Sequence, residues 1–218
     1  LDYNNQKKFS ENASHEFQTP LAVIKSKIDL LLQSKNLTEN EFNLLGSIDD
    51  SISKLSKINK SLLLLSKIEN KQFENATKVF IKPILEKIIS NYEAYIQEKE
   101  ITIINSISSN YTLFINEELG YILLNNLIQN AIRHNVLQGK ITITNESNSL
   151  IIANSGNEKE LNANLIFERF EKKSNDSNSI GLGLSIVKEI AELNTISIIY
   201  NFENNQHFFK LIQNIELK

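Results

Sequence analysis

The feature that most constrains this chain is a repeat of apolar residues near its N-terminus. Starting at Phe17, the residues Leu21, Ile24, Ile28 and Leu31 follow one another at intervals of four, three, four and three. An α-helix brings residues at this spacing onto one narrow stripe, through which helices pack side by side. The spacing therefore predicts a long amphipathic helix.

A second run of the same kind follows a polar break at residues 33–41 (QSKNLTENE). Its stripe consists of Leu45, Ile48, Ile52, Leu55, Leu62 and Leu65, with Asn59 as the one polar member. Two such helices joined by a short loop form a hairpin and leave much of their stripe uncovered. A second copy would cover it in a four-helix bundle, so we predict a homodimer. Packing of the hairpin on the rest of its own chain is the alternative.

The second half of the chain has a different pattern. It follows a polar tract near residues 70–78, which we interpret as a linker. Helical patterns occupy residues 84–100, 117–135 and 181–193, and strand patterns occupy residues 101–107, 111–116, 140–147, 149–156, 195–202 and 207–215. The last two strands are predicted to form a hairpin about the turn ENNQ. This order predicts an α+β sandwich, with helices against a mostly antiparallel sheet.

The predicted domain bounds follow from these patterns. Residues 1–70 form the helical hairpin, residues 71–78 the linker, and residues 79–218 the α+β domain.

Composition narrows the function classes. The 218 residues carry a formal net charge of -3 with both signs interspersed, so no basic surface for nucleic acid is indicated. The absence of cysteine and the presence of only three histidines argue against disulfides and a structural zinc site. No apolar run approaches the roughly 18 residues that span a bilayer. Because the chain opens at Leu1 and contains no methionine, we expect it to be part of a longer protein.

The first helix carries an unusual polar cluster in the stretch SHEFQTPL. His15 lies two residues before Phe17, about 200° around a helix, and is predicted to point away from the apolar stripe. A largely neutral imidazole is a nucleophile, and Glu16 beside it can take its proton. Thr19 lies one turn further on the same face, where it can orient a water against a phosphorylated His15. Pro20 invites a bend beside this cluster. A surface histidine with a chance acidic neighbour is the alternative.

A second polar cluster lies in the predicted helix LLNNLIQNAIRHN. Asn126 and Asn130 are four residues apart and therefore share a helical face that is otherwise apolar. Amide oxygens on one helix suit a Mg²⁺ ion that keeps several waters and is otherwise held by phosphates. Arg133 and His134, one turn further, can reach a phosphate or a sugar. Buried asparagines that cap neighbouring loops are the alternative.

Two glycines, Gly181 and Gly183, stand at the start of the last predicted helix. Free backbone N–H groups and the positive end of the helix dipole can bind phosphates at such a position. The preceding residues 171–180 (EKKSNDSNSI) are polar and lack apolar anchors. This pattern is typical of a lid over a nucleotide.

Together these segments resemble the transmitter core of two-component sensor histidine kinases, over essentially the whole chain and in the family's order. SHEFQTPL is similar to the phosphoacceptor box, NNLIQNAIRHN to the N box, IIANSG to the first glycine box, IFERF to the F box and GLGL to the second glycine box. The resemblance implies a multidomain fold, in which an all-α hairpin forms a dimeric four-helix bundle. An α+β ATP-binding domain of the GHKL type would follow.

The resemblance also implies residue roles. His15 would be the phosphoacceptor, Glu16 its general base, and Thr19 the residue that assists dephosphorylation. Asn130 would bind magnesium with help from Asn126. The nucleotide-binding residues would be Asn126, Asn130, Arg133, His134, Asn154, Gly156, Phe167, Arg169, Phe170, Gly181, Leu182, Gly183 and Leu184.

Within the F box the implied roles differ from residue to residue. Phe167 and Phe170 would brace the lid, with ordinary core aromatics as the alternative, and Arg169 would approach the terminal phosphate.

The chain departs from the family pattern in both glycine boxes. The family usually has an aspartate that accepts the adenine amino proton, followed by two glycines. Here Asn154 stands at the acid position, Gly156 matches the first glycine and Glu158 replaces the second. An amide oxygen can still accept that hydrogen bond, without charge assistance. The second glycine box has Ser179 in place of its leading glycine.

The implied function is autophosphorylation of His15 from Mg-ATP, followed by transfer of the phosphoryl group to an aspartate of a response regulator. Dephosphorylation of that regulator is a further implied activity. A signalling scaffold that no longer binds nucleotide, motivated by Asn154 and the missing glycines, and a predominantly phosphatase form are the alternatives. The resemblance also implies a bacterial parent protein anchored in the inner membrane, with this core on the cytoplasmic side.

Overall fold

The computed structural model describes residues 2–34, 36–73, 75–156, 160–171 and 180–214, with side chains described from residue 17 onward. The chain divides into two compact units, a helical hairpin that ends at Asn70 and a second unit that begins at Lys71. Within the described ranges, no helix is long and apolar enough to cross a bilayer.

The first unit is the predicted hairpin of two helices, α1 (Asp2–Leu32) and α2 (Glu39–Glu69). Helix α2 begins at a capping box that the sequence analysis did not anticipate. The Glu41 N–H donates to Thr38 Oγ1, and the Glu41 carboxylate accepts the Thr38 N–H at 2.8 Å. The hydrogen bonds from the Thr38 hydroxyl and backbone lower the pKa of Glu41.

The predicted apolar stripe is only partly covered within one hairpin. Ile28 and Ile52 are buried, and Lys25 Nζ contacts Asp49 Oδ1 across the two helices at 2.7 Å. Other large apolar side chains of the hairpin remain exposed, namely Phe17, Val23, Ile24, Leu30, Leu31, Phe42, Leu44, Ile48, Leu55 and Leu62.

The second unit contains helices and strands in alternation. Its elements are β1 (Thr77–Phe80), α3 (Ile81–Asn91), α4 (Glu93–Glu98), β2 (Thr102–Asn105), β3 (Thr112–Ile115), α5 (Glu117–Arg133), β4 (Lys140–Glu146), β5 (Ser149–Ser155), α6 (Gly183–Leu193), β6 (Ile196–Glu203) and β7 (Gln206–Gln213). The helix and strand types agree with the sequence predictions, with two exceptions. The helix predicted over residues 84–100 is interrupted at Tyr92, and β1 was not predicted; its residues Thr77 and Lys78 fall in the segment expected to be a linker.

The main sheet has the strand order β2-β4-β5-β7-β6. Strands β2 and β4 are parallel and every other neighbouring pair is antiparallel, as the predicted mostly antiparallel sheet requires. The hairpin between β6 and β7 turns through Asn204 and Asn205, which have φ values of 50° and 58°. Two successive positive φ values are typical of the tight turn that matches strand twist. Strands β1 and β3 form a separate two-stranded sheet.

The core of this unit lies between the main sheet and the apolar stripes of its helices. In α3, Ile81, Leu85 and Ile88 are fully buried at helical spacing. Helix α5 buries Leu119, Leu123, Leu124, Leu127, Ile128, Ala131 and Ile132. This burial fixes the rotation of α5 about its axis and therefore the direction of its polar residues.

Candidate active site

The predicted magnesium-binding asparagines lie on α5, beside its buried stripe. Asn126 and Asn130 are both half-buried, one helical turn apart. The Asn126 Nδ2 group donates to the Ile122 carbonyl at 2.8 Å, so Oδ1 is the atom of this amide that could act as a ligand. A Cβ placed on Gly183 would lie 3.0 Å from that Oδ1. The structure therefore brings the N box and the second glycine box into direct contact.

The N-terminus of α6, where a phosphate site is predicted, begins at a glycine turn. Gly181 has a φ of 76°, and Leu182, which is buried, is the N-cap residue. Among the described residues, no side chain caps the first turn of α6, so its backbone N–H groups remain available to a ligand. Leu184 in that turn is half-buried.

The F box lies against α6. The Phe170 N–H donates to the Gly181 carbonyl at 2.8 Å, which joins the F box to the second glycine box. Arg169, predicted to approach a phosphate, contacts Glu189 of α6 at 3.2 Å. Phe167 is half-buried, whereas Phe170 is 53% exposed.

The predicted adenine residue Asn154 ends up inside the fold. It is 1% exposed, near the end of β5, and its Nδ2 group donates to the Ser155 carbonyl at 2.9 Å. Its neighbours across the sheet are Ile141 on β4 and His207 on β7. A Cβ on Gly156 would come within 2.5 Å of His207 Cδ2 and Nε2, so only a glycine fits beside the imidazole.

The two basic residues of the N box lie at the end of α5. Arg133 is its last residue, and His134 is the exposed C-cap residue, whose N–H donates to the Asn130 carbonyl at 3.0 Å. The ammonium of Lys99 donates to the carbonyls of Ile132 and Arg133 at 3.1 and 2.7 Å. A cation at this end of a helix satisfies carbonyls that lack helical partners and complements the helix dipole.

Several predicted positions lie partly or wholly outside the described residues. His15 and Glu16 belong to helix α1, but their side chains are outside the described set, and Glu158 and Ser179 are outside it entirely. Thr19 is exposed on α1.

Sequence reasoning missed three residues around this site: Lys99, Tyr200 and His207. A signal for Tyr200 and His207 existed, because the ENNQ turn places Phe202 opposite His207 and Tyr200 diagonal to it. The pairing of His207 with Asn154 joins strands more than 50 residues apart and has no local signal.

The arrangement around Asn126 and Asn130 fits a magnesium ion. The Oδ1 atom of Asn126 lies against Gly183, where a residue with a Cβ would crowd it. Amide oxygens with room for waters and ligand phosphates are a donor set that Mg²⁺ accepts.

Comparison with known proteins identifies two domains along the chain. Residues 5–71 match the family model described as "His Kinase A (phospho-acceptor) domain". Residues 116–210 match the one described as "Histidine kinase-, DNA gyrase B-, and HSP90-like ATPase". The chain thus combines a phosphoacceptor domain with an ATPase domain.

Individual relatives narrow the class further. The heme sensor protein HssS of Staphylococcus saprophyticus is 34% identical over 204 residues, which are 90% of this chain and 44% of that protein. The sensor histidine kinase HprS of Escherichia coli is 28% identical over 222 residues, which are 96% of this chain and 48% of that protein. The chain belongs to the sensor histidine kinases and carries their transmitter core. It spans about half the length of these relatives.

Solved structures share the fold. The histidine kinase AdeS of Acinetobacter baumannii has a TM-score of 0.63 at 22% identity, with 92% of this chain and 98% of that chain covered. Full-length ShkA in complex with AMPPNP has a TM-score of 0.73 at 20% identity, with 94% of this chain and 46% of that chain covered.

Proposed function

We propose that this core autophosphorylates His15 from Mg-ATP and passes the phosphoryl group to an aspartate of a response regulator. The observation that carries the proposal is the close approach of Asn126 to Gly183. A Cβ built on Gly183 would lie 3.0 Å from Asn126 Oδ1. This close approach joins a polar amide pair to an uncapped helix N-terminus, and a triphosphate needs both an oxygen-rich cation site and backbone donors.

The first step is transfer to histidine. The unprotonated ring nitrogen of His15 attacks the γ-phosphorus, the bond from that phosphorus to the β–γ bridging oxygen breaks, and ADP leaves. Glu16 accepts the proton from the other ring nitrogen, so that a neutral phosphohistidine remains. The predicted linker, residues 71–78, connects the two domains, and its last two residues form the start of β1.

The residues of the second unit hold the nucleotide for this step. Asn126 and Asn130 hold Mg²⁺, which supplies charge neutralisation on the phosphates when bound. The N–H groups at Gly183 and Leu184, with Arg133 and His134, bind phosphate oxygens. Catalysis then consists mainly of positioning and charge stabilisation.

The adenine end differs from the family pattern in its chemistry. The Nδ2 group of Asn154 is already engaged with the Ser155 carbonyl, so Oδ1 is the atom that accepts the adenine amino proton. A neutral acceptor makes a weaker bond than a carboxylate. We expect a lower affinity for ATP than an aspartate would confer.

The hairpin acts as a homodimer in this proposal. Among the described side chains of α1 and α2, ten large apolar ones are exposed in the single chain, and a second hairpin would cover them in a four-helix bundle. The parent protein would be anchored in a bacterial inner membrane with this core in the cytoplasm.

The test is incubation with labelled ATP and magnesium, comparing the native chain with His15→Ala and Asn130→Ala. Gln129→Ala is the matched control, because this exposed amide neighbours Asn130 on the same helix. We expect acid-labile, base-stable label in the native chain and the control, and none in the other two variants. A native chain that takes up no label and binds no nucleotide would favour the scaffold alternative.

A second activity, dephosphorylation of the regulator, is favoured by the exposed position of Thr19 one turn beyond His15 on α1. Its hydroxyl can orient a water against a phosphoryl group. Thr19→Ala should keep autophosphorylation and lose regulator dephosphorylation, measured as the decay of labelled regulator after removal of ATP. Loss of both activities would contradict this role.

A further inference from the structure

The adenine end of the site contains a buried hydrogen-bonded pair that the family comparison does not explain. His207 Nδ1 lies 2.8 Å from the Tyr200 hydroxyl oxygen, and both side chains are buried. The Leu161 N–H donates to the same hydroxyl oxygen at 3.1 Å. The Tyr200 hydroxyl therefore links the His207 ring to the backbone of Leu161.

The Tyr200–His207 pair lies beside Asn154 on the main sheet. His207 is the direct neighbour of Asn154 across strands β5 and β7, and its ring edge fills the space where a Cβ of Gly156 would stand. The ring also packs against Phe202 and Tyr200, with centroid distances of 4.8 and 5.9 Å. The imidazole is therefore held on several sides and in turn supports the backbone from Asn154 to Gly156.

The orientation of the Asn154 amide depends on that backbone. Its Nδ2 group is anchored on the Ser155 carbonyl, so the oxygen is the atom of this amide that can accept a hydrogen bond from a ligand. A carboxylate at this position would accept in either orientation, whereas an amide accepts only with its oxygen and donates with its nitrogen. An amide whose oxygen faces the base accepts from an amino group but not from a keto group. Asn154 can therefore distinguish the two only if the local backbone holds its amide in one orientation.

We propose that Tyr200 and His207 are positioning residues of the adenine site, which hold residues 154–156 so that the Asn154 amide oxygen meets the base. The consequence is a preference for a purine with an amino group at C6 over one with a keto group. This inference rests on the proposed nucleotide site, and it adds specificity determinants from β6 and β7.

The probe is a comparison of ATP with inosine triphosphate, which carries a keto group at C6 and is otherwise closely matched. Binding of each is measured by isothermal titration calorimetry to the native chain, Tyr200→Phe and His207→Ala. Tyr92→Phe is the matched control, since it removes a tyrosine hydroxyl that bonds Asn125 elsewhere in the same unit.

We expect the native chain and the control to prefer ATP by about tenfold or more, because a mismatched buried hydrogen bond costs on that order. Tyr200→Phe and His207→Ala should lose most of this preference. In autophosphorylation they should raise KM for ATP more than they lower kcat, a split that general destabilisation would not produce. Circular dichroism melting shows whether each variant is folded. If His207→Ala does not fold, the nucleotide preference of Tyr200→Phe alone tests the proposal.

The outcomes separate the two proposals. If the native chain binds ATP but both folded variants keep its preference, the role of Tyr200 and His207 is refuted and the nucleotide site stands. If the native chain binds neither nucleotide, both proposals fail.

Discussion

Gly181→Ala is expected to weaken nucleotide binding while leaving the chain folded. Gly181 has a φ of 76°, a conformation that side chains disfavour. An added Cβ would lie 2.7 Å from the Glu171 carbonyl oxygen and 2.8 Å from the Phe170 carbonyl carbon. Both are backbone atoms that a rotamer change cannot move, so the turn itself must rearrange.

The magnitude follows from two costs. A left-handed conformation costs a residue with a side chain about 1–2 kcal/mol. Overlap with packed neighbours costs roughly 1–3 kcal/mol, part of which local rearrangement relieves. A total of about 2–4 kcal/mol, applied to the turn that precedes the phosphate-binding helix end, corresponds to a roughly 30- to 1000-fold loss of affinity.

The assay is calorimetric titration with ATP and magnesium, combined with thermal melting of the same samples. Gly46→Ala is the control, because no described atom beyond the local helix backbone lies within 4 Å of the added Cβ. In a helix interior this exchange should stabilise by about 0.5–1 kcal/mol and leave affinity unchanged. Affinity of Gly181→Ala within about twofold of native would show that this turn conformation is not the one that binds nucleotide.

Three further predictions concern contacts within the second unit. The Tyr111 hydroxyl is buried and has no partner in the described part of the chain, and burial raises the pKa of Tyr111 to about 12. Tyr111→Phe removes this unpaired group and should increase the free energy of unfolding by about 1 kcal/mol, measured by urea titration. Because the folded pKa lies above the unfolded one, the native chain should lose stability between about pH 10 and 12, and the variant should lose less. Gly156→Ala should destabilise by forcing the His207 ring aside, and Gly156→Ala combined with His207→Ala should cost less than the sum of the two single changes. Lys99→Met should cost about 1 kcal/mol in thermal melts by removing the cation at the end of α5, whereas Lys99→Arg should cost less.

The helical hairpin was predictable because its signal is local and repeated. The spacing of Leu21, Ile24 and Ile28 is set by the helix itself, and the structure confirms helices over both stripes. The break at Tyr92 was not predictable, since no glycine or proline marks it. Strand β1 was also missed: only one of its four residues is buried, and it depends on pairing with β3, more than 30 residues away.

The same distinction between local and distant signals explains which parts of the site could be predicted. The N box could be read as one face of a helix, because Asn126 and Asn130 are four residues apart and their direction follows from the buried positions of α5. The contact of Asn126 with Gly183, in contrast, depends on how two helices pack, and the sequence predicts only that both belong to one site.

The consequence of the Asn154 departure from the family pattern also depends on residues that are distant in sequence. From the sequence alone, Asn154 reads as the loss of a charged acceptor. In the fold, the lost charge is accompanied by a buried imidazole on the neighbouring strand, against the glycine two residues later. A substitution in a binding motif therefore has to be judged with its neighbours across the sheet, because the substituted side chain packs against them. For this site that judgement depends on His207, which only the register of β5 and β7 brings to Asn154.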